Sequence, residues 1–114
     1  MMVVYGIPNC DTVKKARAWL VAQAIDHRFH DVRKDGLDGA RLDGWAPALG
    51  WEALLNRAGT TFRKLPDAAK ADLDAARALA LMLAEPAMIK RPVVEYAGGL
   101  MVGFKPADWA VRLA

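Results

Sequence analysis

The period of apolar and polar residues changes along this chain, and each change marks an element. Met2-Val3-Val4-Tyr5 is a short run of β-formers closed by Gly6 and Pro8, the signature of a buried strand. Asp11-Thr12 offers capping chemistry ahead of Val13–Ala24. Within that stretch Val13, Ala16, Trp19, Leu20 and Ala24 recur near helical spacing and predict an amphipathic helix. Asp26–Val32 then alternates, with Phe29 and Val32 turned inward and charged neighbours outward, so a second strand is expected. A strand, a helix and a strand within about thirty residues make a βαβ unit.

The middle of the chain is helical in pattern. "RKDGLDG" reads as a loop. Leu37–Leu49 carries Leu42, Trp45, Ala46 and Leu49 at helical spacing, with Pro47 expected to kink or interrupt the helix. "WEALLNRAGTTFRKL" reads as a short helical turn followed by a Gly/Thr loop. Pro66 is placed as the first-turn proline of a helix over Asp67–Ala84, an Ala/Leu-rich stretch that Pro86 ends. "RPVVEYAGGLMVGF" is a hairpin signal: two β-rich runs flank Gly98-Gly99, a pair that tolerates the positive φ of a tight turn. Lys105-Pro106 leads into a last helix over Ala107–Leu113. The order is β-α-β, a helical middle, then β-β-α. That is the order of a thioredoxin-like α/β fold with a mixed sheet, interrupted by a helical insertion over roughly residues 37–87 of a single domain. Repeats, low-complexity tracts and dividing linkers are absent.

Composition narrows the function classes. At 114 residues the chain suits one domain, and 54% hydrophobic with 25% charged residues excludes disorder. Sixteen basic against thirteen acidic side chains give +3, an excess compatible with a small anionic substrate. No dense Lys/Arg block points to direct nucleic-acid binding. One cysteine cannot form an internal disulfide. A disulfide-stapled secreted fold is therefore excluded, and a reducing cytoplasm is the expected setting. The opening "MMVVYGIPNC" lacks the pattern of a signal peptide. Ala75–Met88, broken by Arg77, Glu85 and Pro86, falls short of the roughly 20 residues that span a bilayer, so no membrane is expected as a partner.

Candidate chemistry centres on Cys10. Its neighbours put it at a strand-to-helix junction, where free backbone N–H groups and the positive end of the helix favour an anion. A thiolate is such an anion and is the reactive form of cysteine. Lys14 and Lys15, one turn on, add positive potential. Asn9 either donates to an oxyanion or shapes the turn, and Thr12 is either a helix cap or an anion contact. Arg91-Pro92 opens a strand, where proline cannot donate to the ladder. In a thioredoxin-like arrangement this pair would lie beside the cysteine loop, with the planar donor fork of Arg91 suited to a carboxylate or oxyanion. Arg57, Arg63, Lys64 and Lys105 are further cations that could complete an anion pocket. His27 and His30 fall on opposite faces of a strand and make poor joint metal ligands, so no metal site is expected.

Three segments, "VYGIPNCDTVKKARAWL", "GWEALLNRAGTTFRKL" and "IKRPVV", resemble the arsenate reductase-related (ArsC/Spx) family, and most of all its YffB-like branch. The resemblance covers nearly the whole chain in order. It implies a thioredoxin-like fold with a helical insertion and a nucleophilic cysteine, here Cys10. It also implies flanking cations: Arg91 in the "RP" motif, Arg57 or Arg63 in the middle loop, and Lys105 at a third position where the arsenate reductases carry arginine. Gly6 stands where those enzymes have a histidine, and Val13 where they have a serine. Val13 also removes the C-x-x-C pair of the transcription-regulator branch. Three activities follow from the resemblance. The first is a glutathione-dependent thiol or oxyanion reductase working with one cysteine. The second is arsenate reduction proper, coupled to glutathione and glutaredoxin. The third is a non-catalytic regulator that docks on a macromolecule such as RNA polymerase. For the first, no tightly bound cofactor is expected, and glutathione is the expected co-substrate, with glutaredoxin a candidate partner.

Overall fold

A computed structural model describes residues 2–114. The chain divides into two compact units. One is built from both ends of the chain, up to Gly36 and from Arg91 onward, and the other from Leu37–Lys90. The first holds β1 (Met2–Gly6), α1 (Asp11–Ala22), β2 (His27–Asp31), β3 (Val93–Tyr96), β4 (Gly99–Val102) and α7 (Pro106–Arg112). The second holds α2 (Gly39–Leu49), α3 (Trp51–Leu54), α4 (Thr60–Arg63), α5 (Asp67–Lys70) and α6 (Ala75–Ala84), followed by a 3₁₀ turn at Pro86–Met88.

The four strands form one mixed sheet in the order β2-β1-β3-β4. β1 runs parallel to β2 and antiparallel to β3, and β4 closes the hairpin on β3. This is the thioredoxin-like order, with the helical insertion entering after β2 and leaving before β3. Alternation along the strands sends Met2, Val4, Val94 and Met101 to one face, where they pack with Ala16 and Leu20 of α1 and Trp109 of α7. Trp109 anchors this core. Its ring meets Phe104 and Trp19 edge to face, at 4.8 and 5.9 Å between centroids, and its Nε1–H donates to the Gly103 carbonyl at 3.1 Å. Between strands, the Tyr5 hydroxyl donates to Glu95 Oε1 at 2.9 Å in a half-buried hydrogen bond, and its ring lies 5.0 Å from the His30 ring on β2, centroid to centroid.

Several boundaries differ from the sequence reading, each for a local reason. α1 begins two residues early because Cys10 itself takes the N-cap position, with extended backbone (φ −125°, ψ 124°). Thr12 therefore lies inside the first turn and is not the cap. α1 ends at Ala22. Ala24 enters the left-handed region (φ 55°), and the Ala24 and Ile25 amides donate to the Val21 and Leu20 carbonyls, a Schellman closure that folds Ile25 back onto the core. Phe29 is half-buried in β2, while Val32 lies one residue beyond the strand, buried, its amide bonded to the Gly6 carbonyl.

In the second unit α2 runs unbroken through Pro47, which removes one hydrogen bond near the helix end, and stops at Gly50 (φ 85°). The expected Gly/Thr loop contains the helical turn α4. The expected helix over Asp67–Ala84 is two pieces. Asp72 adopts φ 52°, and Asp74 caps α6 by accepting from the Arg77 amide at 2.8 Å, so two aspartates override the alanine-rich propensity around them. An isolated antiparallel bridge, Leu55↔Ile89, with Lys90 N–H donating to the Leu54 carbonyl at 2.7 Å, ties the end of this unit to its middle.

The hairpin turn falls one residue upstream of the expected pair. Tyr96 pairs with Gly99, so the two loop residues are Ala97-Gly98. Gly99 supplies the positive φ (137°). Gly98 supplies space, since a Cβ there would lie 2.7 Å from the Tyr96 ring. The last helix starts at Pro106 and ends at Arg112.

Two stability measurements check this account. Trp109→Ala is expected to cost about 3–5 kcal/mol in urea unfolding, because it empties the aromatic core. Ala24→Gly is expected to gain about 1 kcal/mol, because glycine relieves the left-handed backbone at an exposed site.

Candidate active site

β1 ends at Gly6, and four residues carry the chain into α1. Ile7 is buried, Pro8 and Asn9 form an exposed turn, and Cys10 is half-buried at the N-cap. Cys10 contributes its backbone carbonyl to the helix, accepting from the Lys14 amide at 2.9 Å. Its side chain makes no cap hydrogen bond, so it does not occupy the first-turn N–H groups. A thiol that would otherwise be a small core residue is thus held at the surface of a helix N-terminus. Asp11 supplies a first-turn negative charge beside it, and Lys14 and Lys15 stand exposed one turn on.

Sheet register brings the second motif to the same end of the sheet. Tyr5 pairs with Val93 in the antiparallel β1–β3 ladder. Val93 opens β3, so Pro92 immediately precedes that strand at the end where β1 runs into the cysteine loop. The Arg91-Pro92 bond is cis, Pro92 is buried, and the Pro92 carbonyl accepts from the Gly103 amide at 2.9 Å. Arg91 is half-buried. Lys105, two residues after Gly103, is the exposed N-cap of α7. The cysteine loop, Arg91-Pro92 and the Gly103–Lys105 segment therefore gather at one end of the sheet, although they are up to 95 positions apart in the chain. Asn9 and Thr12 are exposed beside Cys10.

Arg57 and Arg63 belong to the helical unit. The Arg57 guanidinium stands 5.7 Å from the Trp51 ring centroid, and the Arg63 carbonyl accepts from Lys70 Nζ at 2.9 Å; both arginines are exposed. Charge is divided unevenly between the units. The unit that carries Cys10 has nine basic and six acidic side chains, and the helical unit has seven of each, so the whole +3 lies with the cysteine.

The chain matches the ArsC family over residues 5–111. It belongs to the ArsC family. Similarity extends over full length to the solved YffB protein, at 54% identity with 100% of both chains covered and a TM-score of 0.96. An arsenate reductase (ArsC) related protein from Brucella melitensis is 56% identical over 98% of this chain and 93% of its own, with a TM-score of 0.79. An uncharacterized protein of Haemophilus influenzae is 41% identical over all of both chains. As an ArsC-family protein with an N-terminal cysteine, the chain is related to arsenate reductases. Among the described residues no helix is long and apolar enough to cross a membrane.

The contact beneath the loop was not legible in the sequence. Gly6 and the buried Val13 touch across the β1–α1 junction, and only the fold makes them neighbours. The new helix start also gives a check on Thr12. As an exposed residue within the first turn, Thr12→Ala is expected to change stability by less than about 0.5 kcal/mol in urea titration, whereas removal of a true cap costs about 1.

Proposed function

We propose that this ArsC-family protein is a glutathione-dependent thiol reductase in which Cys10 alone is the nucleophile. The observation that carries the reading is the position of Cys10, half-buried at the N-cap of the twelve-residue α1, in the unit that carries all the excess positive charge. The sequence holds no second cysteine, so an outside thiol must complete any cycle.

The Cys10 thiolate attacks one sulfur of a substrate disulfide. A bond forms between the two sulfurs, the substrate S–S bond breaks, and the second sulfur leaves as a thiolate that takes up a proton. One glutathione thiolate opens the mixed disulfide and frees Cys10. A second resolves the resulting glutathione adduct. Two glutathiones are oxidised to one glutathione disulfide, and the two electrons reduce the substrate disulfide to two thiols. In this reading Arg91 and Lys105, in the same unit as Cys10, hold the glutathione carboxylates, with Asn9 shaping the loop. Glutaredoxin is the candidate protein partner, and the cytoplasm, with its glutathione pool, is the compartment.

Folded protein is expected to alkylate at Cys10 with iodoacetamide at neutral pH faster than free cysteine does. It is also expected to form a mixed disulfide on incubation with glutathione disulfide, read by intact mass, and Cys10→Ser should abolish both. Alkylation no faster than free cysteine, with no adduct, would refute the proposal.

A further inference from the structure

Three Asp-Gly pairs lie close together in the sequence, Asp35-Gly36, Asp38-Gly39 and Asp43-Gly44. An Asp-Gly pair carries its own modification chemistry. The glycine amide nitrogen attacks the aspartate Cγ, because no Cβ on the glycine hinders the approach. An N–Cγ bond forms, and a carboxyl oxygen leaves as water with the amide proton. Water then opens the succinimide ring at its α-carbonyl. The chain now runs through the aspartate Cβ and Cγ as isoaspartate, with no oxidant or reductant consumed.

The three pairs share the same reacting residues, and the fold separates them. Gly44 is the sixth residue of α2, so its amide is tied to the carbonyl four residues back, and attack requires the helix to open. Asp38 is the N-cap of α2. Its Oδ1 accepts from the Ala40 amide at 3.0 Å, and its carbonyl accepts from the Arg41 amide at 3.1 Å, so ring closure there gives up the cap. Asp35 and Gly36 are both exposed and lie outside every helix and strand. Gly36 has φ 77°, and among the described residues its amide donates to no group. The Asp35 carboxylate accepts from the Asp31 amide at 3.3 Å, long for an N–H···O bond.

Gly36 also holds the turn after β2. Its carbonyl accepts from His30 Nε2 at 2.7 Å, which ties the last residue of this segment of the cysteine-bearing unit back to the strand. Isomerisation at Asp35 adds one carbon to the backbone just ahead of that carbonyl. We propose that Asp35-Gly36 is a site of spontaneous aspartate isomerisation, the pair that the fold leaves open, and that the modification releases the His30–Gly36 clasp. The chemistry needs nothing from Cys10.

The full-length protein is incubated at neutral pH and body temperature, folded or in urea. Isoaspartate is detected with an isoaspartyl methyltransferase and placed by electron-transfer fragmentation of the peptides, which separates positions 35 and 38. In the folded protein Asp35 is expected to convert about fivefold or more faster than Asp38, the factor set by giving up an aspartate cap, and faster still than Asp43. In urea the three rates are expected to converge, and Asp35→Glu should remove the fast site. Equal conversion at Asp35 and Asp38 in the folded protein, or the same ranking in urea, overturns the site. The isomerised form, separated by ion exchange, is expected to unfold at lower urea than the parent. His30→Ala is expected to lower the parent's midpoint and to leave that of the isomerised chain unchanged. An undiminished effect of His30→Ala in the isomerised chain overturns the release of the clasp.

Discussion

The antiparallel ladder between β1 and β3 joins segments 90 residues apart, Val4 to Val94, and the rest of the cysteine-bearing unit is arranged around it. Its register is held by apolar side chains that must reach one face of the sheet together. Met2, Val4, Val94 and Met101 meet Ala16, Leu20 and Trp109, and a slip of one residue would turn each strand's apolar set to the other face. The Tyr5–Glu95 hydrogen bond adds a polar strap to the same pair of strands. The same register aligns the end of β1 with the start of β3, and through the Pro92–Gly103 hydrogen bond with the end of β4. The chemistry-bearing loops share one end of the sheet because the core on one face leaves the strands a single way to pair.

The β1–α1 junction shows how little is needed to hold a thiol at a helix N-terminus. A glycine ends the strand, a proline and an asparagine turn the chain, and a valine in the first turn packs back on the glycine. The buried side chains of this junction, Ile7 and Val13, are both apolar. The junction is held by sterics and apolar packing, together with the backbone hydrogen bonds that the Gly6 and Cys10 carbonyls accept. The first-turn N–H groups thus stay clear of the Cys10 side chain, and the positive end of the helix is left to whatever anion the loop meets.

Legibility varied with the range of the forces involved. The strands, α1, α2 and the hairpin were visible because their period and β-rich runs are local properties. Boundaries shifted where a single residue decided them. Cys10 displaced Thr12 as the cap, Asp72 and Asp74 broke an alanine-rich helix, and the Tyr96–Gly99 pair moved the turn to Ala97-Gly98. The cysteine and the Arg91-Pro92 motif were legible as residue types, and kinship with the ArsC family follows from the same segments. Their convergence was not, since it depends on a register between distant strands.

By itself the sequence determined the inventory: one cysteine after a strand, a helix to receive it, an arginine-proline pair before a hairpin, and no second thiol. These follow from covalent neighbours and from periodicity, which act within a few residues. Tertiary structure alone decided that Cys10 would be the helix cap, that Tyr5 would pair with Val93, and that Val13 would deny Gly6 a side chain. Each is a contact or conformation selected by packing the sheet against its helices, and close packing fixes positions to tenths of an ångström, finer than any pattern of hydrophobic and polar residues can encode.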